Sequence, residues 1–169
     1  MCARGCNTKI SVNPKTNTLY RVEPRRNPYV NASWICDEGR WNYHYVSQSR
    51  IKTPLRASGE KLVGESWHIA AQEIKQNIEQ NANRILVALG THATNEEAQD
   101  VIETFSTLGV AHFATIYEEG FVGQTVPADG ILKHADLTPN ARGVQRVFDA
   151  AKVKPLTPTE AIQKIKGGE

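Results

Sequence analysis

Three cysteines are the residues whose type and spacing could do chemistry: Cys2 and Cys6, separated by Ala3-Arg4-Gly5, and Cys36, which follows after 29 further residues. An odd number of thiols cannot close a disulfide framework, which leaves metal ligation or free thiols. A cubane iron–sulfur cluster takes several thiolates from a tight loop and another from a distant segment. Two near cysteines and one remote one fit that demand. The competing assignments are three unrelated thiols and a structural zinc site. Zinc takes four ligands and favours C-x2-C pairs with histidine nearby. His44, His68, His92, His112 and His134 show no such pairing and read as ordinary surface or core histidines.

Other chemistry is harder to find. There is no G-x-G-x-x-G and no G-x-x-x-x-G-K-[ST], and Gly90 after an apolar run is a lone glycine turn. Glu96-Glu97 and Glu118-Glu119 are adjacent in sequence, so their side chains diverge and they read as solvated acids, not as a catalytic dyad. Trp34, Trp41, Tyr43 and Tyr45 interleave with Arg40 and Arg50 in the manner of a nucleic-acid stacking platform, but packing of a small lobe is the simpler use. No catalytic residue is assigned, and no nucleic-acid partner is expected.

The elements that must position the cysteines begin with Thr8–Val12 and Thr18–Glu23, two short strands around a Pro/Asn turn. Asp37-Glu38-Gly39 reads as a turn after Cys36, and residues 41–46 as a short helical turn. Trp67, Ala71, Ile74 and Ile78 then recur at the spacing of one helical face. Residues 84–89 form an apolar run suited to a buried parallel strand, and Thr94 with Glu97 is a capping box opening a helix to Leu108. A strand over residues 110–117, a loop over 120–128, a third short strand over 130–133 and a helix over 142–151 follow. Thr157-Pro158-Thr159-Glu160 starts a last helix. The alternation of elements predicts an α/β layer.

Composition sets the outer bounds. Of the 169 residues 40% are hydrophobic and 22% charged, which suits a globular chain with one core or a core plus a small lobe. No apolar run reaches the length of a membrane span and none follows Met1 as a leader would require. A soluble, cytoplasmic chain without direct membrane insertion is therefore expected. Residues 1–65 carry 11 Lys and Arg against 5 Asp and Glu, whereas the remainder carry 9 against 13. The basic part is also the cysteine part, as would suit an anionic cluster; solvated Lys and Arg explain a modest excess equally well.

The residues around the cysteines carry a resemblance. Cys2-x3-Gly5-Cys6-Asn7, Arg21-Val22-Glu23-Pro24-Arg25-Arg26-Asn27, Val30-Asn31, Trp34-Ile35-Cys36-Asp37-Glu38-Gly39-Arg40 and Arg50 followed by Pro54 closely resemble a known module. It is the molybdopterin-oxidoreductase 4Fe-4S segment found in the iron–sulfur subunit of bacterial NADH:quinone oxidoreductase (respiratory complex I) that carries a molybdopterin-oxidoreductase-like region. Weaker similarity continues through Ser66-Trp67, Thr94–Glu97, Ala128–Leu132 and Ala135–Asn140. The family pattern is C-x2-C-x3-C with a distant fourth cysteine, so its first cysteine would lie upstream of Met1. The sequence is accordingly expected to be truncated at both ends relative to that family, as a fragment, a split gene product or a misassigned start.

The resemblance implies a small β-rich iron–sulfur lobe over residues 1–60, followed over residues 61–169 by a partial α/β, molybdopterin-oxidoreductase-like layer. It implies Cys2, Cys6 and Cys36 as metal ligands to a 4Fe-4S cluster, or a 3Fe-4S cluster where only three ligands are present. Asp37 is a conceivable further ligand, though a turn or ion-pair role is simpler for an acid before Gly-Arg. Arg4, Arg21 and Arg40 would raise the cluster's reduction potential. No cysteine follows Cys36 to hold molybdenum or tungsten, and no molybdopterin is expected. The implied function is electron transfer or scaffolding within an oxidoreductase complex, with the other subunits as partners and peripheral placement at the cytoplasmic face of the inner membrane. The alternatives are a fragment of a molybdopterin-dependent enzyme such as formate dehydrogenase, and a cluster-free structural or interaction module. A half-completed layer would leave apolar faces exposed.

Overall fold

The computed structural model describes residues 2–116 and 131–167. The chain is mixed α/β and divides into two units, Met1–Arg50 with Tyr117–Ala141, and Ile51–Ile116 with Arg142–Glu169. The expected loop over residues 120–128 lies outside the described residues.

In the first unit, β1 (Thr8–Asn13) and β2 (Thr18–Pro24) form the expected antiparallel hairpin. Its turn is organised by Asn13, whose Oδ1 accepts the Lys15 N–H at 2.9 Å, and by Asn17 at φ 51°, a left-handed position that asparagine tolerates. The register shifts between Ser11 and Val12, and Tyr20 is the extra residue. Its carbonyl accepts the Tyr43 hydroxyl at 2.5 Å, tying the hairpin to the segment after Cys36.

That segment differs from expectation. Asp37-Glu38-Gly39 is not a turn but the first part of a five-residue helix, α1 (Asp37–Trp41), and a single 3₁₀ turn follows at His44–Val46. The helix starts because Cys36 caps it: its sulfur accepts the Gly39 N–H at 3.4 Å. Asp37 and Glu38 in the first turn and Arg40 in the last suit the helix dipole. The strand expected over residues 130–133 is also corrected, since Ile131 and Leu132 form a bend. The segment is held by a side-chain ion pair and a loop hydrogen bond, described below, instead of by a strand ladder.

The second unit opens with a hairpin that periodicity does not reveal, β3 (Leu55–Ser58) with β4 (Lys61–Gly64), turned at Gly59 with φ 60°. Next come α2 (Trp67–Asn81), capped by Ser66, and β5 (Leu86–Leu89). In α3 (Asn95–Thr107) both halves of the Thr94–Glu97 capping box are made, and Gly109 at φ 87° releases the chain into β6 (His112–Thr115). β5 and β6 pair in parallel, Leu86 opposite His112 and Leu89 opposite Thr115, with α3 as the crossover such a pair needs. Leu156 extends the ladder, donating to Phe113 O at 2.8 Å and accepting from Thr115 N at 3.0 Å. The helices α4 (Ala141–Ala150) and α5 (Pro158–Gly167) complete the order. Leu89, Ala98, Ile102, Phe113, Val144 and Phe148 form the core of this unit.

Candidate metal centre

The first two cysteines are placed by a short irregular loop. Gly5 takes φ 70°, where a side chain would be strained, and the chain turns at Ala3-Arg4 so that both flanking thiols reach the same cavity. The loop is fixed at three points. The Ala3 N–H donates to Asp136 O at 2.8 Å, Arg4 Nε donates to Val30 O at 3.0 Å, and the Asn7 N–H donates to Asn31 Oδ1 at 3.0 Å. Asn31 is buried, and its amide nitrogen donates in turn to Arg25 O and Trp34 O. A single asparagine thus connects the residue after Cys6 to the strand end and to the approach to Cys36.

Cys2, Cys6 and Cys36 all line one cavity of about 350 Å³, walled on its apolar side by Ile10, Leu19, Val22 and Ile35. All three are free thiols of intermediate exposure. Burial pushes the Cys6 thiol up from its ordinary value, and the nearby Cys2 and Cys36 sulfurs push it further in the same direction, with Arg4 opposing them. Thiols gathered in a partly desolvated pocket give up their protons together only where a cation balances the charge. Sulfur donors of this kind suit soft metals such as iron in clusters. Among the described residues no three His, Cys, Asp or Glu side chains close onto one ion; thiolates that serve separate irons of a cluster do not need to.

Of the three arginines expected to tune a cluster, Arg4 alone lines the cavity. Arg21 is exposed and pairs with Glu23 at 2.8 Å, and neither it nor Arg40 is part of the wall. Asp37 is exposed and likewise outside the lining. Two residues that the sequence does not single out stand at the cavity instead. Lys133 Nζ lies 3.0 Å from Glu38 Oε2, and both line the cavity. The Lys133 ammonium holds the Glu38 carboxyl below the usual carboxylate range. No motif marks Lys133 in the sequence, because it arrives from an irregular segment far downstream.

Residues 1–44 match the family model described as NADH-ubiquinone oxidoreductase NDSU1/NuoG-like, 4Fe-4S domain. That match marks residues 1–44 as a 4Fe-4S domain of this class. Beyond it, the chain is 30% identical over 138 residues to NADH-quinone oxidoreductase subunit 3 of Thermus thermophilus, covering 81% of this chain and 17% of the relative. It is 31% identical over 176 residues to the NuoG-type subunit of the NADH-quinone oxidoreductase of Pseudomonas fluorescens (98% and 18%), and 28% identical over 145 residues to the NADH-ubiquinone oxidoreductase 75 kDa subunit of Reclinomonas americana (82% and 20%). The chain is similar to NuoG-type subunits of NADH-quinone oxidoreductases over most of its length and spans about a fifth of the length of these curated relatives.

Proposed function

We propose that Cys2, Cys6 and Cys36 are thiolate ligands to an iron–sulfur cluster, and that the chain is an electron-transfer or scaffold segment of the NuoG-type subunit in an NADH:quinone oxidoreductase. The observation that carries this is the convergence of all three cysteines on one apolar-walled cavity. A bound cluster supplies one-electron redox chemistry at a potential set by charge, hydrogen bonds and solvent exposure. The chain's own residues supply the rest. The thiolates hold the irons, and the buried Val22 and Ile35, with Ile10 and Leu19, make one side of the site apolar. The Gly39 N–H drains charge from the Cys36 sulfur, and Arg4 offsets the negative charge gathered near Cys6.

The wider assignment belongs to the same proposal. Residues 1–60 are the cluster-binding lobe and residues 61–169 a partial α/β domain, in which the β5–α3–β6 parallel unit is the start of a molybdopterin-oxidoreductase-like layer. Lys133 and Asp136 come back to the cysteine loop from the second of these stretches. The partners are the other subunits of the complex, and the chain is peripheral at the cytoplasmic face of the inner membrane. The relatives, each a subunit of such an oxidoreductase by name, support the partnership. Among the described residues no helix is long and apolar enough to cross a membrane.

The test is iron and acid-labile sulfide per chain after anaerobic reconstitution, with EPR before and after reduction, on the full chain and on Cys36→Ala. A stoichiometric cluster that is lost or altered in Cys36→Ala is expected. A chain that takes up no iron, or a cluster indifferent to Cys36, would overturn the proposal.

A further inference from the structure

Lys133 and Glu38 form an ion pair on the wall of the cavity that holds the three cysteines. Glu38 is fixed in place by α1, two residues beyond Cys36. Lys133 comes from the segment whose Asp136 carbonyl accepts the Ala3 N–H, one residue beyond Cys2. The segment is itself stiffened by Asp136, whose Oδ1 accepts from the Thr138 N–H at 2.8 Å and from its hydroxyl. Pro139 also lines the cavity. The lysine is thus held between the two parts of the cysteine constellation instead of sweeping through solvent.

The two charges of the pair are not equally exposed. The Lys133 side chain is 24% exposed and that of Glu38 38%, so the ammonium is the more enclosed. A charge near a partly desolvated site acts on it more strongly than one in open water. Reduction adds one electron to whatever the three thiolates hold, and a fixed cation favours the added electron whereas a fixed anion opposes it. We propose that Lys133 is a positioning residue that raises the reduction potential of a cluster in this cavity, with Glu38 as the counter-charge that limits the effect. This rests on the cluster assignment above. An ion pair that only ties the segment down would behave differently, because losing either partner would loosen the segment in the same way.

The experiment is a redox titration of the reconstituted full chain, followed by absorbance and EPR, on wild type, Lys133→Met, Lys133→Arg and Glu38→Gln, after iron and sulfide content have been measured for each. Lys133→Met is expected to move the midpoint to lower potential and Glu38→Gln to higher potential, with Lys133→Arg restoring the wild-type value. Full clusters with unmoved midpoints, or shifts of the same sign in Lys133→Met and Glu38→Gln, would overturn this proposal and leave the cluster assignment standing. Loss of iron in Lys133→Met alone, with no midpoint change in Glu38→Gln, would reduce Lys133 to a structural tie and overturn it equally. A wild-type chain that holds no iron would overturn the cluster assignment, and this inference with it.

Discussion

The side-chain oxygen of Asn31 accepts the backbone N–H of Asn7 at 3.0 Å, one residue beyond Cys6. The same side chain donates to Arg25 O at 3.2 Å and Trp34 O at 2.9 Å and is only 2% exposed. Replacing it with leucine keeps roughly the volume but leaves three backbone groups without these bonds. Each unmade buried hydrogen bond costs about 1–3 kcal/mol. Water reaches some of these part-buried groups, so Asn31→Leu is expected to lose about 2–4 kcal/mol. Asn31→Asp keeps the acceptor and loses both donors. Urea denaturation followed by tryptophan fluorescence checks this, and wild-type stability in Asn31→Leu would show that the asparagine is not the tie.

In the second unit the corresponding residue is Phe148. It is fully buried and meets Phe113 edge to face, with ring centroids 6.3 Å apart at 68°. Phe148→Ala removes that contact and opens a cavity that Ile102 and Val144 cannot close without moving α4 against α3. A loss of about 3–5 kcal/mol is expected, and about 1 kcal/mol for the better-filling Phe148→Leu. Denaturant midpoints at unchanged slope would report it. A midpoint shift no larger in Phe148→Ala than in Phe148→Leu would mean that the core collapses around the missing ring.

Phe148 lies where the sequence is legible, whereas the bonds of Asn31 leave no pattern along the chain. The helix carrying Phe148 and the helix after Thr94 show a 3.6-residue period, and α3 has a complete capping box, so local rules and tertiary packing agree. The β1–β2 hairpin is readable from its Asn/Pro turn. The β3–β4 hairpin is not, because every residue of both strands is exposed and alternation has nothing to report; the Ser58-Gly59 turn is the available signal. Period also says that a face exists without saying that this chain covers it. α2 forms as expected, yet Trp67 is 72% and Ile74 56% exposed, and Ile78 is its one buried residue. At the site, cysteine spacing identifies the thiols. The Cys36 cap is hidden because cysteine is not among the usual capping residues. Lys133 is hidden because a single long-range ion pair made from an irregular segment leaves no pattern along the chain.

Acid should act on α5 through Glu160. Its carboxylate accepts from the Thr157 N–H at 2.8 Å and from the Thr157 hydroxyl at 2.9 Å, while Thr157 Oγ1 accepts the Glu160 N–H at 3.3 Å. These bonds from Thr157 hold the Glu160 carboxyl below its ordinary range. A carboxyl depressed in the folded state adds stability above its unfolded value, and that stability is lost as pH falls through the folded one. Glu160→Gln is therefore expected to be less stable than wild type at neutral pH and to converge with it under acid. Parallel denaturation series across pH test this, and a difference that stays constant into acid would assign the effect to something other than the charge.

Gly39 sets a tighter constraint on the cysteine site. It lies inside α1 with an ordinary helical φ, so Gly39→Ala gains about 1 kcal/mol of helix propensity. The added Cβ would stand 2.9 Å from Ile35 Cγ1 and 3.0 Å from its Cδ1. Ile35 is itself 7% exposed, so it has little room to give way, and overpacking of this kind costs about 1–3 kcal/mol. The gain offsets part of the cost, and the net loss of stability is expected to be about 1 kcal/mol. The geometric effect does not cancel. Ile35 immediately precedes Cys36 and walls the cavity, and the Gly39 N–H is the group that the Cys36 sulfur accepts. Gly39→Ala should therefore lower iron and sulfide uptake on reconstitution far more than it lowers the denaturation midpoint. Uptake that falls only in proportion to stability would show that the start of α1 tolerates the shift and does not hold the Cys36 sulfur in place.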